Sequence, residues 1–447
     1  MLPLWQVCDR IGAEVSPIVK SAFLGLGLAA ALFGTDGPVT FNRDVLPILQ
    51  KNCQTCHRPG EIGPMSFLSY ESTRPWAKSI RTAVLAKKMP PWFADPRYGH
   101  FLNDRRLSEA DIATLAAWAD QGATEGDPKD KPAPVEWREG WNIKPDVVFS
   151  MSKPFRVPAK GTIEYTYFVV PTNFKQDTWV LDGEIRAGNR KVVHHASVHV
   201  RPPGSLWMKD AKPGEPYVPP RQGGKEALPA PVDPRFTVNE WLVGYVPGVH
   251  AEYFDLNHQA AKLIPAGSDL VFEMHYTANG SEQEDLTQVG FVLAKEPPKE
   301  RLVTLPLARM DFAIPPGEPN YGATTMGRFD EPVKLVYSQP HMHLRGKAMD
   351  IELHYPTGES EMLVSVPHYD FNWQMIYYEQ KPREIPKGTR IELIARWDNS
   401  ANNKYNPDPT AKVTWGDQSW DEMLFAWVGV VVPKAVDTNK VLAMGVQ

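Results

Sequence analysis

The sequence predicts a multidomain fold in which a small α-helical domain is followed by two mainly-β domains. The chain has 447 residues, enough for about three domains of ordinary size. Of these residues 42% are hydrophobic, which is sufficient for several cores. From about residue 146 onward, strand-like apolar runs are separated by proline, glycine or asparagine. The 43 prolines also favour a loop-rich β architecture in that part of the chain.

The charge is nearly balanced and cysteines are few. With 48 basic and 53 acidic residues the net charge is −5, which argues against nucleic acid or an anionic membrane surface as a partner. The three cysteines are Cys8, Cys53 and Cys56. Since the last two belong to the motif described below, no structural disulfide is expected after residue 57.

Residues 1–36 have the character of a signal peptide or an N-terminal anchor. The run from Ser21 to Gly34 is apolar and uncharged, follows Lys20 and is short for a membrane span. The region before this run is unusually long for a signal peptide and includes Asp9 and Glu14. The segment is therefore either cleaved after export or kept as an anchor. The alternative to an export signal is a buried core helix. We expect an exported, periplasmic protein that is membrane-bound only if this segment is retained.

A haem-attachment motif marks the helical domain, which is predicted over residues 37–128. In Cys53-Gln-Thr-Cys-His57 two thiols are spaced to add across the vinyl groups of haem, while the histidine becomes an axial iron ligand. A redox dithiol is the alternative, but it leaves His57 unexplained. Met89 is the preferred second axial ligand, and Met65, closer along the chain to His57, is the alternative.

Residues 108–122 have the pattern of a helix, with Ser108 as N-cap and Gly122 at the end. One face of this helix is formed by Ile112, Leu115, Ala116 and Ala119. The whole stretch from residue 37 resembles a small class I-type cytochrome c domain, which implies one covalently attached haem c and one-electron transfer. A charged, proline-rich linker at residues 129–145 follows.

Residues 146–305 contain a candidate metal site made of three histidines. Adjacent strand residues point to opposite faces, so His194 and His195 can share a metal only at a strand end or a bulge. His275 lies in an otherwise apolar strand and needs a partner if it is buried. The strands predicted here are Thr162–Val170, Thr178–Ile185, Lys191–Val200, Asp269–Tyr276 and Gln288–Leu293.

Other parts of this region carry weaker signals. Hydrogen-bonded core positions are the expectation for His199, His250 and His258. The segment 201–247 is rich in proline and glycine, and we expect a long loop that is functional or disordered.

Residues 306–447 contain a second candidate site. In an extended chain His341 and His343 project from one face and can close on one metal, while Met342 points away. Met423 follows an acidic pair at the start of a strand. Two imidazoles and a thioether suit Cu(I) and are poor ligands for zinc. The alternatives are two histidines of a polar strand and a core methionine. The strands predicted here are Val333–Val336, Met349–Tyr355, Glu361–Val366, Arg390–Trp397 and Met423–Val432.

Together these motifs resemble the copper type II, ascorbate-dependent monooxygenases, the family of peptidylglycine α-hydroxylating and dopamine β-monooxygenase. The resemblance covers residues 146–436 and keeps the order of the ligands. It implies two jelly-roll β-sandwiches facing an open cleft, over residues 146–305 and 306–447. It also implies two copper ions, an electron-transfer copper at His194, His195 and His275 and an oxygen-binding copper at His341, His343 and Met423.

Three departures from that family bear on function. Its members carry several disulfides, which this chain lacks. Peptide-amidating members use an arginine, an asparagine and a tyrosine to grip the peptide carboxylate where this chain has Gln339, Phe425 and Trp427, so we argue against peptide amidation. The fused haem domain has no counterpart there.

The expected activity is therefore hydroxylation of a C–H bond of a small organic substrate with O₂. Each turnover consumes two external electrons, and we expect haem to replace or assist ascorbate, relaying single electrons from an exported donor such as an ascorbate-like reductant or another cytochrome. The alternatives are a non-catalytic haem and copper electron-transfer or copper-handling protein, an oxidoreductase that passes electrons outward, and a carbohydrate-binding sandwich pair. Aromatic residues such as Phe371 and Trp373 are more typical of core packing than of a substrate pocket.

Overall fold

The computed structural model of the chain describes residues 37–137, 140–219, 240–246, 252–253 and 260–445. The predicted signal segment, His250 and His258 lie outside these ranges. Within them the fold is mostly β-sheet with few helices, consistent with the predicted β-sandwich domains. None of the helices in these ranges is both long and apolar enough to cross a bilayer.

The helices lie in the region that precedes the sheets. The predicted helix at 108–122 is confirmed: the Ser108 hydroxyl accepts a hydrogen bond from the Asp111 amide at 3.0 Å, and Gly122 ends the helix with a φ of 95°. Leu115 and Trp118 are fully buried and pack with the other helices in one core. The helical elements are a π-helical turn Phe41–Val45, then α1 Leu46–Asn52, α2 Tyr70–Thr73, α3 Ala77–Leu85 and α4 Glu109–Asp120.

Two sheets face each other over residues 147–293. The strands are β1 Val147–Ser150, β2 Phe155–Val157, β3 Thr166–Pro171, β4 Thr178–Arg186, β5 Val193–Arg201, β6 Pro216–Tyr217, β7 Trp241–Tyr245, β8 Glu252–Tyr253, β9 Ala260–Ile264, β10 Asp269–Tyr276, β11 Gln283–Asp285 and β12 Gln288–Leu293. Strands β6, β3, β10, β5 and β7 form a five-stranded sheet, and β1, β12, β4 and β9 belong to the sheet opposite. Apolar side chains from both sheets, including Phe272 and Phe291, share one core.

A second pair of sheets follows in the C-terminal part. The strands are β13 Glu300–Arg309, β14 Ala313–Ile314, β15 Tyr321–Phe329, β16 Val333–His341, β17 Gly346–His354, β18 Ser360–Val366, β19 Tyr377–Ile385, β20 Arg390–Trp397, β21 Val413–Thr414, β22 Leu424–Pro433 and β23 Leu442–Met444. Strands β18, β17, β20, β15 and β23 form one sheet, and β13, β22, β16 and β19 belong to the other. Leu335, Ile351 and Leu393 are fully buried between them.

One sheet runs through both sandwiches. β9 pairs in parallel with the start of β13, so that a nine-stranded sheet crosses from the first sandwich to the second. Lys262 of β9, fully buried, donates hydrogen bonds to the Leu242 carbonyl at 2.7 Å and to the Thr304 hydroxyl at 3.0 Å. The predicted division between residues 305 and 306 therefore falls inside a strand.

Residues 92–104, predicted as part of the helical domain, pack against the second sandwich. Trp92 and Phe101 are buried in its core. The Asn103 side-chain amide donates to the Ile376 carbonyl at 2.7 Å, and the Leu102 amide donates to the Tyr378 carbonyl at 2.9 Å. This segment thus extends the edge at β19 and joins the helical region to the C-terminal part of the chain.

The predicted strands agree with the structure to different degrees. β10, β12 and β20 have the predicted bounds, and most of the others differ by a few residues at their ends. The expectation of a loop over 201–247 is wrong at Trp241–Tyr245, which is the edge strand β7. β13, β15 and β19 were not predicted from the sequence.

Candidate metal centres

The three-histidine set (His194, His195 and His275) converges at a β-bulge. β10 pairs with β5 in regular antiparallel register up to His275 opposite His195, and Tyr276 then pairs with Val193. His194 is the extra residue of this bulge, which turns two adjacent imidazoles toward one point, as the sequence required. The Nδ1 atom of His195 lies 3.1 Å from Nδ1 of His194 and 3.3 Å from Nδ1 of His275. One ligand atom of each residue lies within 4.8 Å of the other two.

Side chains behind the three-histidine set hold the outer ring nitrogens. Nε2 of His195 lies 2.9 Å from the Tyr165 hydroxyl, and Nε2 of His275 lies 3.3 Å from the Ser419 hydroxyl. His194 is hydrogen-bonded to the Asn372 side chain. Such partners orient imidazole ligands so that the inner nitrogens face the metal.

Burial keeps the three imidazoles neutral. It lowers the pKa of His275 to about 3 and that of His195 well below its usual value, and the neighbouring imidazoles lower both further. Burial also lowers the pKa of His194. A neutral imidazole has the free lone pair that a metal needs.

The His-His-Met set (His341, His343 and Met423) lies at the ends of β16 and β22. The two imidazoles are 5.2 Å apart between ring centroids and nearly perpendicular. β16 ends at His341, two residues before His343, and both rings remain close together. Met342 points away, as predicted, and is fully buried in the core of the second sandwich. Met423 immediately precedes β22 and lines the same cavity as both histidines.

Glu422 fixes the turn that follows His341. Its carboxylate is fully buried and accepts hydrogen bonds from the backbone amides of His343 at 2.9 Å and Arg345 at 2.6 Å, and from the Trp397 indole at 3.0 Å. Burial raises the pKa of Glu422 to about 7, although the hydrogen bonds from these donors lower it. The Nδ1 atom of His343 lies 3.3 Å from the Asp421 carbonyl, which leaves Nε2 as its ligand atom.

The two sets are close to each other rather than separated by an open cleft. The Phe371 ring contacts the whole three-histidine set and also His343. The Gln374 side-chain nitrogen lies 3.4 Å from Nδ1 of His195, and Gln374 also hydrogen-bonds to His341. The helical turn Phe371–Trp373 and Gln374 thus fill the space where the family resemblance implied solvent.

Beside both sets lies a cavity of about 140 Å³, walled mainly by aromatic rings. His195 and the His-His-Met set reach it, together with Trp241, Trp415 and Trp427. Two carboxylates, Glu273 and Asp417, also line it, and burial raises the pKa of Asp417 to about 6. Nothing in the local sequence marked Tyr165, Gln374, Glu273 or Asp417 as site residues.

His199 agrees with its prediction only in part. It is buried, as expected, and its Nε2 lies 3.4 Å from a Glu273 carboxylate oxygen without hydrogen-bond geometry. Its ring also faces Trp207 and Trp427 across the same cavity.

The haem-attachment motif lies in a loop after α1. Cys53 and Cys56 are both free thiols, and burial raises the pKa of Cys53 to about 12. The His57 ring stacks on Phe67 at 4.4 Å, and its Nδ1 lies 3.3 Å from the Met65 carbonyl. Met65 packs on the same core as Cys53. Met89 is half-buried after α3, and the choice between the two methionines stays a prediction.

Comparison with known proteins adds no functional argument. The chain matches no family model and no curated protein. Among solved structures, the chain is similar to a structure of the infectious bursal disease virus Gx strain. The identity is 8% and the TM-score is 0.18, and the match covers 71% of this chain and 79% of that chain. A structure of the Gt strain of that virus gives 7% identity and a TM-score of 0.17, over 71% and 78% of the two chains. Similarity at this level does not indicate a shared fold.

Proposed function

We propose that this protein is a copper-dependent monooxygenase that hydroxylates a C–H bond of a small organic molecule with O₂. Electrons would arrive singly through haem c attached to the same chain. The observation that carries the proposal is the meeting of three Nδ1 atoms at one bulge, beside a second and chemically different set of donors. The family resemblance of the sequence supports the same activity.

The donors of the three-histidine set fit a copper ion. Imidazole nitrogens that bind one metal at about 2 Å lie about 3 Å from each other, and the observed separations from His195 are 3.1 and 3.3 Å. Neutral imidazoles suit copper. In the His-His-Met set a thioether replaces one imidazole, which favours Cu(I).

The residues of the haem motif fit a c-type haem. Cys53 and Cys56 would form the thioether links, and His57 would bind the iron. When bound, copper would supply O₂ activation and electron storage, and haem would supply electrons one at a time. The half-buried thiols and the position of the motif after α1 support this assignment.

The remaining residues of the site exclude water and orient the ligands. Tyr165 and Ser419 hold the outer nitrogens of His195 and His275, and Asn372 is hydrogen-bonded to His194. Aromatic walls and a volume of about 140 Å³ limit the cavity to a small, largely apolar molecule. The cavity reaches Met423, so we place the substrate there.

Replacement of Met423 by isoleucine tests the proposal. We expect the variant to lose hydroxylation and one bound copper, while the haem spectrum and its reducibility stay intact, because isoleucine has no sulfur ligand. Met326→Ile is the matched control, because Met326 lies on β15, in the sheet that does not contain β16 or β22. This variant should keep both coppers and turnover. Retained hydroxylation in the Met423 variant would exclude the oxygen-binding role.

A non-catalytic electron-transfer protein is the second candidate. The contact of Gln374 with histidines of both sets favours it, since closely packed metal sites also suit electron transfer. Substrate-dependent O₂ consumption by the copper- and haem-loaded protein separates the two candidates. Anaerobic turnover with an artificial acceptor would instead indicate an enzyme that passes electrons outward.

A further inference from the structure

The loop that carries the haem motif, residues 53–63, is anchored by buried charges. Glu61 accepts a hydrogen bond from Arg58 at 2.8 Å and forms an ion pair with Arg190, which lies just before β5. The side chains of Arg58, Glu61 and Arg190 are only 11%, 13% and 14% exposed. Removing one member of a buried ion pair leaves an uncompensated charge, so the pairing fixes the position of the loop.

A second contact holds the same loop. The Arg58 guanidinium lies 4.4 Å from the centroid of the Trp137 ring, in the segment that leads into the first sandwich. Arg58 therefore joins Glu61 on one side to an aromatic face on the other. The loop cannot shift along the sandwich without breaking both contacts.

Tyr245 lies on β7, the strand next to the one that carries His194 and His195. It is buried on β7, where it pairs with Ala196, the residue after His195, and it lines the cavity that His195 reaches. Burial raises the pKa of Tyr245 to about 12, and Arg190 and Cys56 are both close enough to act on it electrostatically. The geometric link between the loop and the histidine strand is the ion pair of Glu61 with Arg190, three residues before β5 begins at Val193.

We propose that Arg190 is a positioning residue that holds the haem loop on the first sandwich beside Tyr245, which makes the three-histidine set the recipient of electrons. The inference rests on the proposed function. A haem held by Cys53, Cys56 and His57 would give single electrons to a copper ion held by His194, His195 and His275, and the exported one-electron donor would then reduce the haem again. Tyr245 keeps its proton and is not oxidised; it provides the buried contact.

Hydrogen exchange on the haem- and copper-loaded protein tests the anchor. In Arg190→Gln we expect the amides of residues 57–63 to exchange about tenfold faster, because Glu61 keeps only Arg58, in its own loop, and loses its ion pair with the sandwich. Arg190→Lys should restore most of the protection. Arg81→Gln is the matched control, since Arg81 pairs with Asp120 at an exposed site of the same helical region. Unchanged exchange in Arg190→Gln would overturn the anchor.

Stopped-flow reduction tests the direction of transfer. We expect haem reduced anaerobically in the wild-type protein to reduce copper at a rate independent of protein concentration. This rate should fall at least about tenfold in Arg190→Gln and in Tyr245→Leu, and stay near that of the wild type in Tyr245→Phe and Arg81→Gln. If the wild type itself transfers no electron, the proposed relay fails. If it does and Arg190→Gln matches it, only the present inference fails.

Discussion

The carboxylate of Glu422 offers a sharp test of how the His-His-Met set is held. Replacing it with alanine would leave three buried donors without an acceptor, on His343, Arg345 and Trp397. Each orphaned donor costs at least about 1 kcal/mol, so the variant should lose ~3 kcal/mol or more. For a domain of about 150–250 residues, a loss of ~3 kcal/mol corresponds to a fall in Tm of roughly 6 °C or more.

The matched variant Glu422→Gln should lose only about 1 kcal/mol of unfolding free energy. The side-chain carbonyl of glutamine can still accept hydrogen bonds, and only one of the three donors would face its amide nitrogen. Asp311→Ala, which removes an exposed partner of Arg309, is the control and should leave Tm unchanged. Calorimetry and copper analysis are the assays. We expect Glu422→Ala to lose copper from the His-His-Met set alone. A Tm for Glu422→Ala no lower than that of Glu422→Gln would refute the reasoning.

Three further predictions follow from packing and charge. Gly429→Ala should destabilise by about 1–3 kcal/mol, since its Cβ would lie 2.3 Å from the Tyr337 ring, whereas Gly322→Ala, with no atom nearer than 3.6 Å, should be neutral in thermal unfolding. The raised pKa of Asp417, about 6, means that this carboxyl favours the folded state below pH 3.8 and loses that contribution as the pH rises through 6. Asp417→Asn should therefore leave the Tm of the metal-free protein unchanged below pH 3.8 and raise its stability at pH 8 by up to ~3 kcal/mol. A variant that is more stable than the wild type at low pH, and not at pH 8, would contradict this prediction. Phe101→Ala should cost about 3 kcal/mol and speed proteolysis within residues 92–104, and wild-type resistance there would count against the docking of that segment.

The sequence was most informative where periodicity was strong. β10, β12 and β20 alternate or run apolar between clear turn residues, and their bounds were predicted correctly. β19 was missed because Tyr377–Ile385 contains charged residues and a proline, which an edge strand tolerates. β15 is rich in glycine and threonine, and β13 crosses the presumed domain boundary.

At the candidate site, the need for a strand end or a bulge at His194 and His195 could be predicted, because strand geometry forbids adjacent histidines from facing one way. The residues around the imidazoles could not. Tyr165, Phe371 and Gln374 come from three distant segments, and only the packing of the sheets brings them to the imidazoles. The hydrogen bonds from the turn after His341 to the buried carboxylate of Glu422 could not be predicted either, because Glu422 lies far along the chain.

The docking of residues 92–104 makes the helical region inseparable from the C-terminal part of the polypeptide. Trp92 and Phe101 belong to a core built by strands more than two hundred residues away. A truncation at residues 129–145 would therefore remove two buried aromatic rings from the C-terminal sandwich and open its core to water.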